Sequence, residues 1–275
     1  MPRRPPLLTC LGLASVLCLL LPAAGLAQVG TKDPKGVDVL IQSVNASGAT
    51  NALKPIQDFT ATGTITYFWA GEQVQGPATV KGRAPDQFRL DANLPSSPAC
   101  VGCPGTRSYA VSHGTGALRN PDGAIKTLPL HNTVNVGVLT FPYLTISAAL
   151  SDPATIIAYV GLVTLNGGQV QQVRVQRLFS SEADPDGTIS KLCITDYFVD
   201  PPTNLVLKIA DMTHPFQTLG EDMIHEVEFD NYLPVNGIHF PMFVREKTIG
   251  QTMWELSVSG ISFNTGLTDF DFVIH

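Results

Sequence analysis

Apolar and polar side chains alternate strictly over long stretches of this chain. From Phe59 to Trp69, Phe59, Ala61, Gly63, Ile65, Tyr67 and Trp69 fall on one side, and Thr60, Thr62, Thr64 and Thr66 on the other, until Phe68 breaks the rule. That period of two is the mark of a half-buried strand. After Ala70-Gly71 it resumes, with Val74, Gly76, Ala78 and Val80 opposed by Gln73, Gln75, Thr79 and Lys81. A turn at Arg83-Ala-Pro-Asp86 leads to Phe88, Leu90, Ala92 and Leu94, opposed by Arg89, Asp91 and Asn93. Three consecutive antiparallel strands with one oily face follow. Such a face must be covered or must bind something.

The same reading extends to the C-terminus. Val37, Leu40, Ile41 and Val44 have helical spacing, Gly48 ends that helix, and Ala49–Lys54 is expected to add a turn. Arg107–His113 and Ala117–Arg119 are expected as strands, and Lys126–Val136 as irregular chain. Leu139–Leu150 is predicted as a helix across the mouth of the sheet, with Pro142 near its first turn and Leu139, Tyr143, Ile146 and Leu150 on one face. Ile156–Leu165 is apolar on both faces, which predicts a central strand covered on both sides. Asn166-Gly-Gly168 is a hairpin signal. Strands are expected at Val170–Phe179, Lys191–Val199, Leu205–Met212, Met223–Tyr232, Ile238–Lys247 and Thr252–Phe263. The sum is a mainly β (α+β) chain: one large curved antiparallel sheet of about eleven strands with two or three covering helices. No linker or fixed repeat divides it, so residues 28–275 are expected to form one domain and a monomer.

Arg3 and Arg4 precede an apolar run from Leu7 to Leu21 and small residues at Gly25 and Ala27. This predicts a signal peptide over residues 1–27 and a periplasmic or secreted protein. The run is shorter than the roughly 20 residues of a spanning helix. Beyond it remain 15 basic against 23 acidic side chains, a net charge of −8, with no basic block. Nucleic acid is therefore not an expected partner. Cys100-Val-Gly-Cys103 could close a small disulfide loop outside the cytosol. Redox use would call for a βαβ setting, and zinc for more ligands than lie nearby. No nucleophile elbow, phosphate loop or His-Glu-x-x-His pattern is present, so no catalytic residue, metal or cofactor is assigned. On a strand His225 faces away from Glu226 and Glu228, and Glu226, Glu228 and Asp230 read as a wet face. His113 and His131 read as solvated surface, and Phe270 and Phe272 as a seal for the sheet's edge or helix packing.

The order of short motifs adds a resemblance. A helix and a Phe-x-Ala-x-Gly strand are followed by Val80-Lys-Gly-Arg83-Ala-Pro85-Asp-Gln-Phe88-Arg89 and Tyr109-Ala-Val-Ser-His-Gly114. Later come Tyr232-Leu-Pro-Val-Asn-Gly237-Ile-His-Phe-Pro241 and Ile261-Ser-Phe-Asn264-Thr-Gly-Leu-Thr-Asp269-Phe-Asp-Phe272. Over most of its length the chain resembles the LolA/LolB-like periplasmic lipoprotein-carrier superfamily. The resemblance implies an incomplete β-barrel whose helices cover an apolar concave side that takes the acyl chains of lipids or lipoproteins. It also implies that Arg83 helps hold lid and ligand, although Ala84 intervenes before Pro85. The expected lumen residues are Ile65, Tyr67, Trp69, Arg83, Phe88, Leu90, Tyr143 and Ile146. The expected function is a non-enzymatic carrier or binder of lipid or lipid-modified protein. A second expectation is an envelope structural or interaction module with a protein partner and a self-filled sheet. A secreted hydrolase with a spatially assembled site is a third.

Overall fold

The computed structural model describes residues 29–48, 55–69, 71–83, 85–135, 139 and 141–274. The expected signal peptide and the turn at Ala49–Lys54 lie outside them. Helix α1 (Pro34–Ala46) starts where the Asp33 side chain accepts from the Lys35 and Gly36 amides, with Pro34 in the first turn. It stops at Gly48, whose φ of 77° suits the left-handed cap. Its buried face is Gly36, Val39, Leu40 and Ser43. This is rotated from the expected stripe, and Ile41 is exposed. The reason is close approach: a Cβ on Gly36 would sit 3.1 Å from the Tyr159 amide nitrogen, so the helix presents small residues to the sheet.

The sheet begins with β1 (Asp58–Trp69), β2 (Glu72–Arg83), β3 (Gln87–Leu94), β4 (Gly105–Ser112), β5 (Thr115–Arg119) and β6 (Ile125–Thr127). The chain then crosses by way of α2 (Pro142–Ser151) to the opposite edge. It returns through β7 (Thr155–Leu165), β8 (Gly168–Arg177), the short helix α3 (Thr188–Leu192), β9 (Ile194–Val199), β10 (Val206–Thr213), β11 (Met223–Val235), β12 (Ile238–Thr248) and β13 (Gln251–Phe263). β13 pairs with β1, giving one open antiparallel sheet of thirteen strands with β6 and β7 at its edges. The architecture is the expected one with a larger strand count. Part of the irregular segment at Lys126 is the edge strand β6, and Lys191 and Leu192, expected to open a strand, close the short helix α3 instead.

β7 is the main departure. It is an edge strand, not a central one, because the single crossover carries the chain to the far side of the sheet before it turns back. Its first half is covered: residues 30–33 bond along it, through Asp33 N to Ile157 O at 2.8 Å and Ile157 N to Thr31 O at 2.9 Å. Its second half leaves Val160 and Leu162 exposed. Lys32 also donates to the Ala149 and Leu150 carbonyls at 3.2 and 2.8 Å, placing a cation on the C-terminal end of α2.

Beneath α2 the concave face is packed. Phe141 lies 4.9 Å from Phe240 and 6.2 Å from Phe263, ring centre to ring centre, and Phe59 lies 5.5 Å from Phe240. Gly82 makes this possible, since a Cβ there would meet the Phe59 ring at 2.3 Å. Outside the sheet the C-terminal segment is strapped down. Buried Asp58 accepts from the Thr265, Gly266 and Leu267 amides, Lys81 pairs with Asp271 at 2.7 Å, and Phe272 is buried while Phe270 is exposed.

Candidate functional site

At the end of the concave face away from α2 the packing opens into a cavity of about 530 Å³. Its walls follow from strand register. Tyr67 on β1 sits opposite Trp254 on β13, and Trp254 opposite Glu246 on β12. On the other side, Leu90 on β3 sits opposite Tyr109 on β4. All of these point inward by the period of two. Loops supply the cover, through Leu128, His131, Asn132 and Asn135 on one side and Phe216 on the other.

Tyr67 and Trp69 stack with ring centres 4.7 Å apart, and the Arg107 guanidinium lies 5.5 Å from each ring. Arg107 Nη1 donates to Asn120 Oδ1 at 3.2 Å. Burial raises the Tyr67 hydroxyl to about 12, with Arg107 pulling the other way.

The opposite wall carries a buried charge cluster. Asp211 on β10 faces His225 on β11 in direct register. His225 Nδ1 bonds Asp211 Oδ1 at 2.7 Å and its Nε2 bonds Glu246 Oε1 at 2.9 Å. Asn135 donates to the second Asp211 oxygen at 3.0 Å and to Thr195 Oγ1 at 3.0 Å. Burial opposes a charge on His225, but the two carboxylates outweigh it and raise the imidazole to about 10. Burial likewise raises Asp211, against the pull of His225. With both ring nitrogens bonded to carboxylates, the imidazole has no lone pair for proton abstraction. The partners of His225 come from neighbouring strands, whereas Glu226 and Glu228 point to the outer face. There the expected wet side is an ionic ladder: Lys208 to Glu226 at 2.7 Å, and Arg245 and Lys247 to Glu228 at 3.2 and 2.5 Å.

A second cavity, about 420 Å³, lies along the Thr145, Ala148 and Ala149 side of α2, and Asn135 borders both spaces. Buried Cys193 lines it, and burial pushes its thiol up to about 12.

The expected lumen residues divide. Tyr67, Trp69, Phe88 and Leu90 line the larger cavity. Ile65 and Ile146 are fully buried core, and the ring of Tyr143, on α2 itself, lies 6.0 Å from that of Phe141. Arg83 is drawn the other way. It bonds Asp269, the Leu267 carbonyl at 2.9 Å and Gln87 at 2.6 Å, fastening the C-terminal segment to β2 and β3. Cys100 and Cys103 form a disulfide. His113 pairs with Asp86 at 2.8 Å, and that bond raises its imidazole above the ordinary value. His131 is half-buried at the cavity wall, 5.9 Å from the His214 ring, and not on the solvated surface expected for it, because the loop that carries it closes over the sheet. Arg107, Asp211, Glu246 and Trp254 were missed. Each stands in an apolar inward row: Arg107 with Tyr109 and Val111, Asp211 with Ile209, Glu246 with Val244, and Trp254 with Leu256. A charge in such a row is the signal that finds the first three, whereas Trp254 only continues an apolar row and is placed by the register that sets it opposite Tyr67.

No protein-family profile matches the chain, and no curated protein matches its sequence. Solved structures do. An outer membrane lipoprotein-sorting protein domain from Vibrio parahaemolyticus superposes with a TM-score of 0.53 at 16% identity, over 86% of this chain and 96% of that one. A LolA superfamily protein from Nitrosomonas europaea gives 0.50 at 9% identity, over 86% and 96%. The fold is LolA-like. A DUF1329 family protein from Desulfovibrio piger superposes with a TM-score of 0.51 at 11% identity, over 87% and 96% of the two chains. At these identities the likeness establishes architecture, and function rests on the cavity.

Proposed function

We propose that this protein is a non-enzymatic periplasmic carrier or binder of lipid or lipid-modified protein, and that the long hydrocarbon chain lies in the cavity beside Trp69. The observation that carries the reading is the cavity itself. At about 530 Å³ and walled on one side by aromatic and aliphatic side chains, it falls within the roughly 300–1,000 Å³ of ligand pockets. Each CH₂ transferred from water to such a wall contributes about 0.8 kcal/mol, so affinity grows with chain length without an elaborate polar site. The fully engaged His225 supports binding over catalysis. Tyr67, Trp69, Phe88 and Leu90 are the ligand contacts in this reading, while Ile65, Tyr143 and Ile146 belong to the packed core and Arg83 to the C-terminal clasp.

Trp69→Asp puts a charge on that wall. It is expected to weaken uptake of a fluorescent long-chain probe at least about tenfold while the far-ultraviolet spectrum is kept. Unchanged uptake contradicts the assignment. The exposed Val160 and Leu162 on the β7 edge favour a second reading, an envelope interaction module that adds a partner's strand there. That reading makes partner binding sensitive to Val160→Lys and indifferent to Trp69→Asp.

A further inference from the structure

Arg107 is a cation placed where an apolar chamber ends. Its guanidinium rests on the Tyr67 and Trp69 rings, and no ion pair to it forms among the described residues. Among the described residues, Arg177, on the second cavity, approaches Asp152 at 3.9 Å, and Arg245, behind the wall, pairs with Glu228 and Glu255. Arg107 and Trp69 are also shared by a third, more polar recess of about 190 Å³. The disulfide-bonded Cys100 loop, Asn120 and Asp122 complete that recess. One Asp122 oxygen is already held by the Ala124 amide at 2.9 Å.

We infer that the ligand is an acidic amphiphile, its hydrocarbon tail in the large cavity and its carboxylate or phosphate on Arg107 at the entrance to the recess. The inference rests on the carrier reading and adds the chemistry of the head group. Three observations converge. A guanidinium offers five N–H donors in a fork that matches carboxylate and phosphate oxygens; Asn120 and the Tyr67 hydroxyl take part of this set and leave the rest. The two rings pin the guanidinium, so little side-chain freedom is lost on binding. The two walls of the cavity also differ in charge. Asp211 and Glu246 put two carboxylates against one imidazolium on the far wall, which repels an acid head and leaves Arg107 as its destination.

The two tryptophans of the chain, Trp69 and Trp254, both line the cavity, so intrinsic fluorescence reads occupancy directly. Palmitate, monocetyl phosphate and cetyl alcohol offer one tail with three heads. At neutral pH the intact protein is expected to bind one or both acids at least about tenfold more tightly than the alcohol, the gain of a charge-assisted pair. The tighter of the two acids identifies the head group. Arg107→Gln is expected to bring the acids down to the alcohol's affinity and leave the alcohol unchanged, while Arg107→Lys keeps part of the preference. Equal affinity for all three in the intact protein, which needs no variant, overturns the head-group assignment and leaves the carrier reading standing. A preference retained in Arg107→Gln overturns it as well. If none of the three binds the intact protein, the carrier reading itself falls.

Discussion

Under α2, Phe59, Phe141, Phe240 and Phe263 fill the space between helix and sheet. At the other end of the same concave face, Tyr67, Trp69 and Trp254 border a void of about 530 Å³. Both ends are built from alternating strands with large inward side chains, so side-chain size does not explain the difference. The cover does. The packed end is roofed by a helix that inserts Phe141. The hollow end is roofed by loops that bring His131, Asn132 and Asn135, over a wall holding Asp211, His225 and Glu246. Collapsing an aromatic ring onto that cluster would strip what solvation it retains, which is costly for buried charge. The charged wall thus keeps one end of the sheet from self-packing, and the aromatic seal keeps the other end closed.

Changes on the two sides of this comparison are expected to differ in size. Phe141→Ala opens a hole in the packed half and should lower stability by about 3–5 kcal/mol in urea titration. Trp69→Ala, beside an existing void, should cost well under half of that. Equal losses would mean that the hollow end is packed in solution.

The charge cluster supplies a pH signature of a few kcal/mol. The folded value of His225, about 10, lies above its ordinary 6.5. Its contribution is therefore complete below about pH 6.5 and is lost as pH rises towards 10. The raised Asp211 acts in the same direction, because its buried carboxylate is disfavoured once ionised. The melting temperature should fall over that window. The triple variant Asp211→Asn, His225→Gln, Glu246→Gln should remove most of the slope, and a slope that survives in it would assign the effect elsewhere.

Smaller effects sharpen the outline. Ile249 holds φ at 50° in the β12–β13 turn, where the comparable turns place Asn166 and Asn236. Ile249→Asn should stabilise by about 1 kcal/mol in a thermal melt. Arg83→Gln loosens a partly exposed strap and should cost about 1 kcal/mol or less, with long-chain uptake unchanged, separating the C-terminal clasp from the cavity.

Period-two patterning made the opening strands, the inward rows and the Asn-Gly hairpins legible before any coordinates. It could not order the strands. Ile156–Leu165 is apolar on both faces and reads as central, but its place at the edge depends on one crossover and on residues 30–33 lying along it. Half of the site was legible for the same reason: Tyr67, Trp69, Phe88 and Leu90 lie in apolar rows. Arg107, Asp211 and Glu246 lie in such rows too, but a charge there acquires meaning only when register brings Asp211 opposite His225 and the rings of Tyr67 and Trp69 beneath Arg107. Arg83 shows the converse. The motif around it is recognisable, yet its partners Asp269 and Leu267 stand far along the chain and pull it from the cavity.

The central claim is that the hollow end exists to be filled. Native mass spectrometry of protein released gently from its host, without detergent, tests it most directly. One long-chain molecule per protein chain, lost in Trp69→Asp and retained in Val160→Lys, is the predicted result. A bare polypeptide mass in repeated preparations, with no mass gained on adding long-chain acids or alcohols, would contradict it.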